Sequence, residues 1–185
     1  NALATAEFEH LIADIRAMIT HMGDTSNLIL DPDLDTYYMM DVTLLALPQE
    51  QDRIQEILAY IRKLKAGNRA FTRGEIVQLH VYAALLKQSD IDRISASTQT
   101  ALNEDANFLG VSPTLQANIP AALKNHNEKT EKFVSALLAL AGQETGLALN
   151  AAIAAGRSAL MESFKFWRLA VDEEDRRPRR RRSLR

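Results

Sequence analysis

Apolar side chains recur at every third or fourth position over most of the chain, and no useful length of it alternates with the period of a β-strand. Such spacing lines apolar residues along one face of an α-helix. Turn and capping residues divide the pattern into five stretches, so the sequence predicts five long helices. The predicted stripes are Leu11, Ile15, Met18, Met22, Thr25 and Ile29; Leu34, Tyr38, Asp41, Leu45, Ile54, Ile57, Ile61 and Leu64; Ile76, Leu79, Ala83, Leu86, Ile91, Ile94, Thr98, Ala101, Asp105 and Phe108; Leu115, Ile119, Leu123, His126, Thr130, Phe133, Leu137 and Leu140; and Leu149, Ile153, Gly156, Leu160, Phe164, Trp167 and Val171.

Residues that start or end helices separate the five stretches. Asp31-Pro32 is expected to open the second helix, because the aspartate can cap it and proline is tolerated in its first turn. Thr72 and Glu75 form the pattern of a capping box that opens the third helix. The remaining boundary signals are Gly67-Asn68, Gly110, Ser112-Pro113, Gly142 and Gly146.

Long helices joined by short turns pack antiparallel, so the sequence predicts an all-α, elongated up-down bundle of about five helices. Two prolines fall inside the predicted helices. We expect Pro48 to kink or split the second helix and Pro120 to delay the start of the fourth. Five antiparallel helices leave the chain ends at opposite poles, so we expect either a further N-terminal helix or a redirection of the chain at Pro48.

Composition agrees with a helical, soluble domain. The 185 residues are 46% hydrophobic and 25% charged, with only 7 glycines, 5 prolines and 6% aromatic residues, fewer than a large β-sandwich would need. No stretch reaches the ~20 consecutive apolar residues of a membrane span. The chain has no cysteine, which excludes disulfides, thiolate catalysis and cysteine-ligated zinc.

Charge divides the chain into a helical domain, residues 1–175, and an arginine-rich tail, residues 176–185. The tail holds seven arginines and no acid, and because the whole chain carries a net charge of −2, the helical domain is strongly acidic. An acidic body is a poor binder of phosphate backbones, so we expect no nucleic-acid partner.

Motifs for enzymatic chemistry are incomplete. A di-iron bundle needs two Glu-x-x-His motifs, and only Glu7–His10 fits. The alternate aspartates of 31–35 resemble the start of a calcium loop, but Thr36 and Val42 stand where an EF-hand has glycine and glutamate. No nucleophile elbow or phosphate-binding loop is present. The sequence therefore predicts no catalytic residue, metal or cofactor.

Polar residues on the apolar stripes are the candidates for a binding site, since burying them costs energy unless they are paired. Counting equal rise from the turns places His126 near Thr98, Arg157 and Ser158. Such a layer has two interpretations: a polar pocket for a small, anionic ligand, or a core layer that fixes the register of the helices.

One block of sequence resembles a known class of protein. Its core comprises Gly23–Asn27, Leu30–Asp33, Tyr37-Tyr38 and Met40-Asp41, within a similarity that covers Gly23–Gln49. The block is similar to the extracytoplasmic sensing regions of bacterial transmembrane receptors, namely sensor histidine kinases and methyl-accepting chemoreceptors. Outside this block, the similarity is only that of a helical receptor domain.

The resemblance implies a non-catalytic, ligand-sensing domain on the periplasmic side of the inner membrane. Its parent chain would be a membrane-tethered histidine kinase that acts as a homodimer, in which a ligand between helices shifts their packing. A chemoreceptor sensor is the nearest alternative. A second alternative is a cytoplasmic protein-interaction bundle, for which the acidic body and basic tail would be the docking surfaces.

The candidate ligand-binding residues lie in this block and in the polar layer beside it. We expect Asn27 and Tyr38 to bond a polar ligand, Asp41 to orient a partner, and Arg157 with His126 to hold a carboxylate, as in an organic anion. Turn formation is the competing role of Asn27.

Overall fold

The computed structural model confirms the all-α prediction and contains five long helices. It describes residues 2–25, 34–107, 111–142 and 146–176, and no strand occurs within them. The helices are α1 (Ala2–Thr25), α2 (34–67), α3 (73–104), α4 (Pro113–Gly142) and α5 (Gly146–Arg176). Most of the arginine-rich tail, and the predicted cap at Asp31-Pro32, lie outside the described residues.

Two of the helices each contain one π-helical segment. In α2, the segment Asp41–Ala46 joins the α-helical stretches Leu34–Met40 and Leu47–Gly67. In α3, Leu86–Ile91 joins Arg73–Leu85 to Asp92–Glu104. A π turn inserts an extra residue and so rotates the face that follows it.

Pro48 does not split α2, which was one of the two outcomes expected from the sequence. The helix runs through it to Gly67, and the irregularity is the π-helical segment just before it. There the amide of Leu47 donates to the carbonyl of Val42, five residues back. The widened turn makes room for a proline ring that would otherwise clash with the preceding turn. Pro120 likewise lies within α4 rather than before it.

Helices α2 to α5 form a closed bundle in which α2 packs on α3 and α5, and α4 packs on the same two helices. The bundle has two hydrophobic clusters, one toward each pole. The first cluster centres on Ile57, Leu79 and Phe133. The second centres on Leu47, Ile94 and Phe166. The gap between the two clusters is occupied by the polar side chains described below.

Helix α1 lies outside this bundle, antiparallel to α2. Arg16 Nη1 is 2.6 Å from Asp52 Oδ2, and a Cβ added at Gly23 would lie 2.7 Å from a Leu44 methyl group. Thr43, near the start of α2, donates to Glu174, near the end of α5. The start of α1 and the end of α5 therefore lie at opposite poles, as five antiparallel helices require.

The apolar stripe predicted for α1 is largely exposed rather than buried against the bundle. Its exposed fractions are 52% for Leu11, 43% for Ile15, 57% for Met18 and 63% for Met22. The face that meets the bundle is instead offset from this stripe by about one residue.

The core face of α5 includes Leu149 and Gly156 of the predicted stripe but is otherwise rotated from that stripe by about one residue. The other large residues expected there flank the contact, and Phe164 is 42% exposed. Small residues face the core instead, because they let the helices approach closely: a Cβ on Gly156 would lie 2.8 Å from both Leu58 and Phe133. The buried residues of α5 are Leu149, Ala152, Gly156, Ala159, Ser163, Phe166, Ala170 and Glu173.

Candidate functional site: a buried polar layer

The two hydrophobic clusters are separated by a layer of polar side chains centred on Glu50. Its side chain is fully buried. Its carboxylate accepts hydrogen bonds from His126 Nε2 at 2.7 Å, Ser163 Oγ at 2.9 Å and Thr130 Oγ1 at 3.3 Å. Since Glu50 lies on α2, the histidine and threonine on α4 and the serine on α5, one carboxylate connects three helices.

The contacts of His126 with Glu50 favour the protonated form of its imidazole. Burial acts to lower the pKa of its imidazole, but the negative charge and hydrogen bond of Glu50 outweigh it and raise that pKa. The other ring nitrogen, Nδ1, lies 3.0 Å from Asn127 Oδ1, so both N–H groups of an imidazolium have acceptors. Asn127 Nδ2 in turn donates to Ser95 Oγ at 2.9 Å, which extends the network to α3.

A second buried pair, Asp90 with Arg53, adjoins this network at the end of the π-helical segment of α3. Asp90 Oδ2 lies 2.7 Å from Arg53 Nε, in a close ion pair without hydrogen-bond alignment. Burial raises the pKa of the Asp90 carboxyl to about 6, although the charge of Arg53 opposes the shift. The nearby charge of Glu50 also raises it. The four helices of the bundle thus all contribute to one layer.

Asp41 fastens the π-helical segment of α2 to α3. Its carboxylate lies 2.6 Å from Arg93 Nη2 and accepts a hydrogen bond from Ser97 Oγ at 2.9 Å. Both partners of Asp41 belong to the same chain, and its role in orienting a bound molecule stays a prediction. Trp167 Nε1 donates to the carbonyl of Thr43 at 2.8 Å and ties α5 to the same segment.

The layer is packed rather than open. Described residues line three surface grooves in which neither Glu50 nor His126 takes part. Nor do any three His, Asp or Glu side chains in the described ranges come together to hold a metal ion. Of the two interpretations drawn from the sequence, this geometry favours a layer that fixes helix register.

The five predicted ligand-binding residues do not form one cluster. Asn27 lies outside the described residues. Tyr38 is half-buried in the second cluster, with its ring edge-on to Tyr37 at 5.4 Å. Arg157 is exposed and borders a shallow groove with Arg62 and other side chains of α2 and α5. The contacts described for the buried His126 are with other residues.

The predicted level of His126 on α5 needs correction. Counting the same number of residues from the α4–α5 turn along both helices places His126 of α4 beside Ser163 of α5. Ser163 lies about one turn beyond the predicted Ser158. The structure agrees, since His126 and Ser163 bond the same Glu50 carboxylate. Glu50 itself is the residue that the sequence analysis missed. Its position between Leu47 and Ile54 on the buried face of α2 was a readable signal.

Taken together, the fold is a closed four-helix bundle with a polar layer in its core and a fifth helix on its side. No protein-family model, curated protein or solved structure matches the chain. Within the described residues, none of the helices combines the length and apolar character needed to cross a bilayer.

Proposed function

We propose that this chain is the ligand-sensing, extracytoplasmic domain of a membrane-bound sensor histidine kinase and is not itself catalytic. The single observation that carries the proposal is the placement of α1 outside the bundle. The block that resembles receptor sensing regions, residues 23–49, spans the connection between α1 and α2. A receptor needs a helix that can shift relative to a rigid body, and the position of α1 outside the closed bundle supports that role.

The exposed stripe of α1 supports a homodimer. Leu11, Ile15, Met18 and Met22 follow one another at spacings of four, three and four. This is the spacing of a coiled-coil seam, in which apolar residues of one helix interlock with those of a second. The seam lies about 100° around the helix from the face that meets α2, so a second copy can pack on α1 without displacing the bundle.

The polar layer supports a switch between discrete states. Buried hydrogen-bonded charges specify one register, because sliding a helix would leave Glu50 or Asp90 without its partners. A ligand that favours a second packing of the helices would then shift a population of molecules rather than deform the bundle gradually. In the proposed receptor, the end of α5 would carry this shift to the membrane.

The proposal is tested by the membrane topology of the full-length protein. We expect alkaline phosphatase inserted at the α2–α3 turn, near Asn68, to be active in cells, and β-galactosidase at the same point to be inactive. The full-length protein should also autophosphorylate on histidine. The reverse reporter pattern would overturn the extracytoplasmic location and favour the cytoplasmic interaction bundle. The same topology with methylation instead of autophosphorylation would favour the chemoreceptor.

A further inference from the structure

An apolar groove runs between α1 and the outer side of α2 and α5. We call it the α1 groove. Its volume is about 310 Å³, at the lower end of the range for pockets that take small organic ligands. Its apolar walls are formed by Ile12, Ile15, Ile19, Pro48, Phe164 and Trp167.

The α1 groove has few polar groups, and they differ in whether they already have a partner. Arg16 and Asp52, which both line it, are paired at 2.6 Å, so their charges neutralise each other. Gln51 also lines the groove and is only 9% exposed. Its Nε2 is buried and has no hydrogen-bond partner among the described residues. A buried amide donor left unpaired is costly, so an acceptor placed beside it would be stabilising.

We propose that the α1 groove binds a small, uncharged, mainly apolar molecule that carries one hydrogen-bond acceptor, such as a carbonyl group. The walls provide apolar contact, and a modest turn of the Gln51 side chain lets its amide donate to the acceptor. A carboxylate would lose its hydration against these walls without gaining a free cation, since Arg16 is already paired with Asp52. The polarity of the groove therefore selects against charged ligands.

This inference is argued from the groove alone and does not require the chain to be a receptor. If the topology test fails, the groove can still bind its ligand. If binding fails, the sensor would need another site. None of Tyr38, Asp41, His126 and Arg157, the described residues that the sequence proposed for ligand binding, lines this groove.

The chain carries its own reporter of binding, because its single tryptophan, Trp167, lines the groove. The probes are acetophenone, ethylbenzene and benzoate, which share a ring but differ in carrying a neutral acceptor, no acceptor or a charge. We expect acetophenone to shift the indole N–H resonance of Trp167 in a ¹⁵N–¹H spectrum. It should bind about tenfold more tightly than ethylbenzene, as one additional hydrogen bond allows. Benzoate should bind most weakly.

Two matched variants distinguish the contribution of the hydrogen bond to the ligand's acceptor from the contribution of the apolar walls. In Gln51→Leu, acetophenone should lose its tenfold advantage while ethylbenzene still binds. In Gln55→Leu, the same change on an exposed glutamine of the groove, the advantage should remain. Gln51→Met replaces Gln51→Leu if circular dichroism shows that the leucine variant is unfolded.

A third variant, Ile19→Trp, should fill the groove and weaken the binding of all three probes. Its binding is measured from the chemical shifts of the other wall residues. The proposal is overturned if no probe shifts the Trp167 resonance at millimolar concentration. It is also overturned if wild type binds acetophenone and ethylbenzene equally, or if Gln51→Leu keeps the full preference.

Discussion

Glu50 occupies a position at which the helical pattern predicts an apolar side chain. Its carboxylate accepts hydrogen bonds from three side chains on two other helices. We expect Glu50→Ala to lower the free energy of unfolding by about 3–5 kcal/mol, because it removes one member of a buried pair and leaves the His126 ring nitrogen and two hydroxyl groups without their acceptor. Urea denaturation monitored by circular dichroism measures this loss.

The matched comparison is the double variant Glu50→Leu with His126→Leu, which removes both charges together. It should be more stable than Glu50→Ala, because no unpaired charge stays in the core. Lys87→Ala breaks an exposed ion pair with Glu131 and should change stability by less than about 0.5 kcal/mol. Equal losses for Glu50→Ala and Lys87→Ala would contradict the central role of Glu50.

Asp90 gives the layer a dependence on pH. Its folded-state pKa is raised to about 6 by burial, so folding favours the protonated carboxyl. This contribution to stability is complete below the unfolded pKa of about 3.9 and is lost as the pH rises through 6. Asp90→Asn resembles the protonated form at every pH. We therefore expect the variant to gain stability relative to wild type between pH 4.5 and pH 7.5.

The measurement is a set of urea titrations of wild type and Asp90→Asn across that pH range. The neighbouring charges Glu50, Arg53 and Arg93 are present in both proteins, so the difference between their unfolding free energies isolates Asp90. A difference that stays constant with pH, or one that moves against the variant, would show that Asp90 titrates near its ordinary value in the folded protein.

At the scale of single residues, the sequence predicted which polar side chains are buried better than it predicted which side chains they contact. His126 and Thr130 were placed on the apolar stripe of α4, and both are fully buried. Their common acceptor lies more than seventy residues away, at Glu50. Which side chains meet across the bundle depends on register over the whole length of each helix, and an error of one turn was enough to exchange Ser163 for Ser158.

At the scale of elements, α5 packs through its small residues. A Cβ on Gly156 would lie 2.8 Å from atoms of Leu58 and Phe133, both almost fully buried. We expect Gly156→Ala to destabilise the protein, because overpacking costs about 1–3 kcal/mol and exceeds the ~1 kcal/mol of improved helix propensity. The temperature of unfolding, measured by calorimetry, should fall.

Gly74→Ala is the control for this substitution. Gly74 is exposed in the first turn of α3, and its added Cβ would meet nothing closer than 4.0 Å. Only the gain in helix propensity applies there, so the temperature of unfolding should stay the same or rise. If Gly156→Ala were as well tolerated as Gly74→Ala, the close approach of α5 to α2 and α4 would be wrong.

Periodicity predicted the number and approximate bounds of the helices, including the capping box at Thr72, which the structure contains. It did not predict the π-helical segments. An inserted residue does not change the composition of the helix and only shifts the positions at which the apolar residues recur. In α3 the consequence is that both Asp90 and Ile91 are buried after Leu86. It also placed most of the core face of α5 about one residue away from where it lies, because a pattern weighted by large apolar residues overlooks small residues such as Ala152 and Ala159.

At the scale of the whole molecule, the sequence predicted five helices but not that one of them would stand apart from the other four. An apolar stripe indicates that a helix face is covered without indicating by what. In α2 to α5 the covering surface is the same chain, whereas in α1 the stripe through Met18 remains open. The homodimer that we propose would cover it.

This dimer can be tested with a single substitution, because the chain has no cysteine of its own. In a parallel pair, Met18 would face the Met18 of the partner copy across the seam. We expect Met18→Cys to form a disulfide-linked dimer under mild oxidation, visible on a non-reducing gel. Thr20→Cys places an exposed thiol on nearly the opposite side of α1, so it should stay monomeric.

The two cysteine variants differ only in direction around one helix, so random collision would cross-link both to the same extent. Selective cross-linking at position 18 would therefore show that the Met18 face of α1 meets a second copy, as it does in a parallel seam, the arrangement in which two receptor chains can face the same membrane. In an antiparallel pair centred away from Met18, that residue would face a different one, and Met18→Cys would cross-link poorly while the chain still sedimented as a dimer. A chain that sediments as a monomer at high concentration, with neither variant cross-linked, would contradict the dimer and leave α1 to be covered by something else.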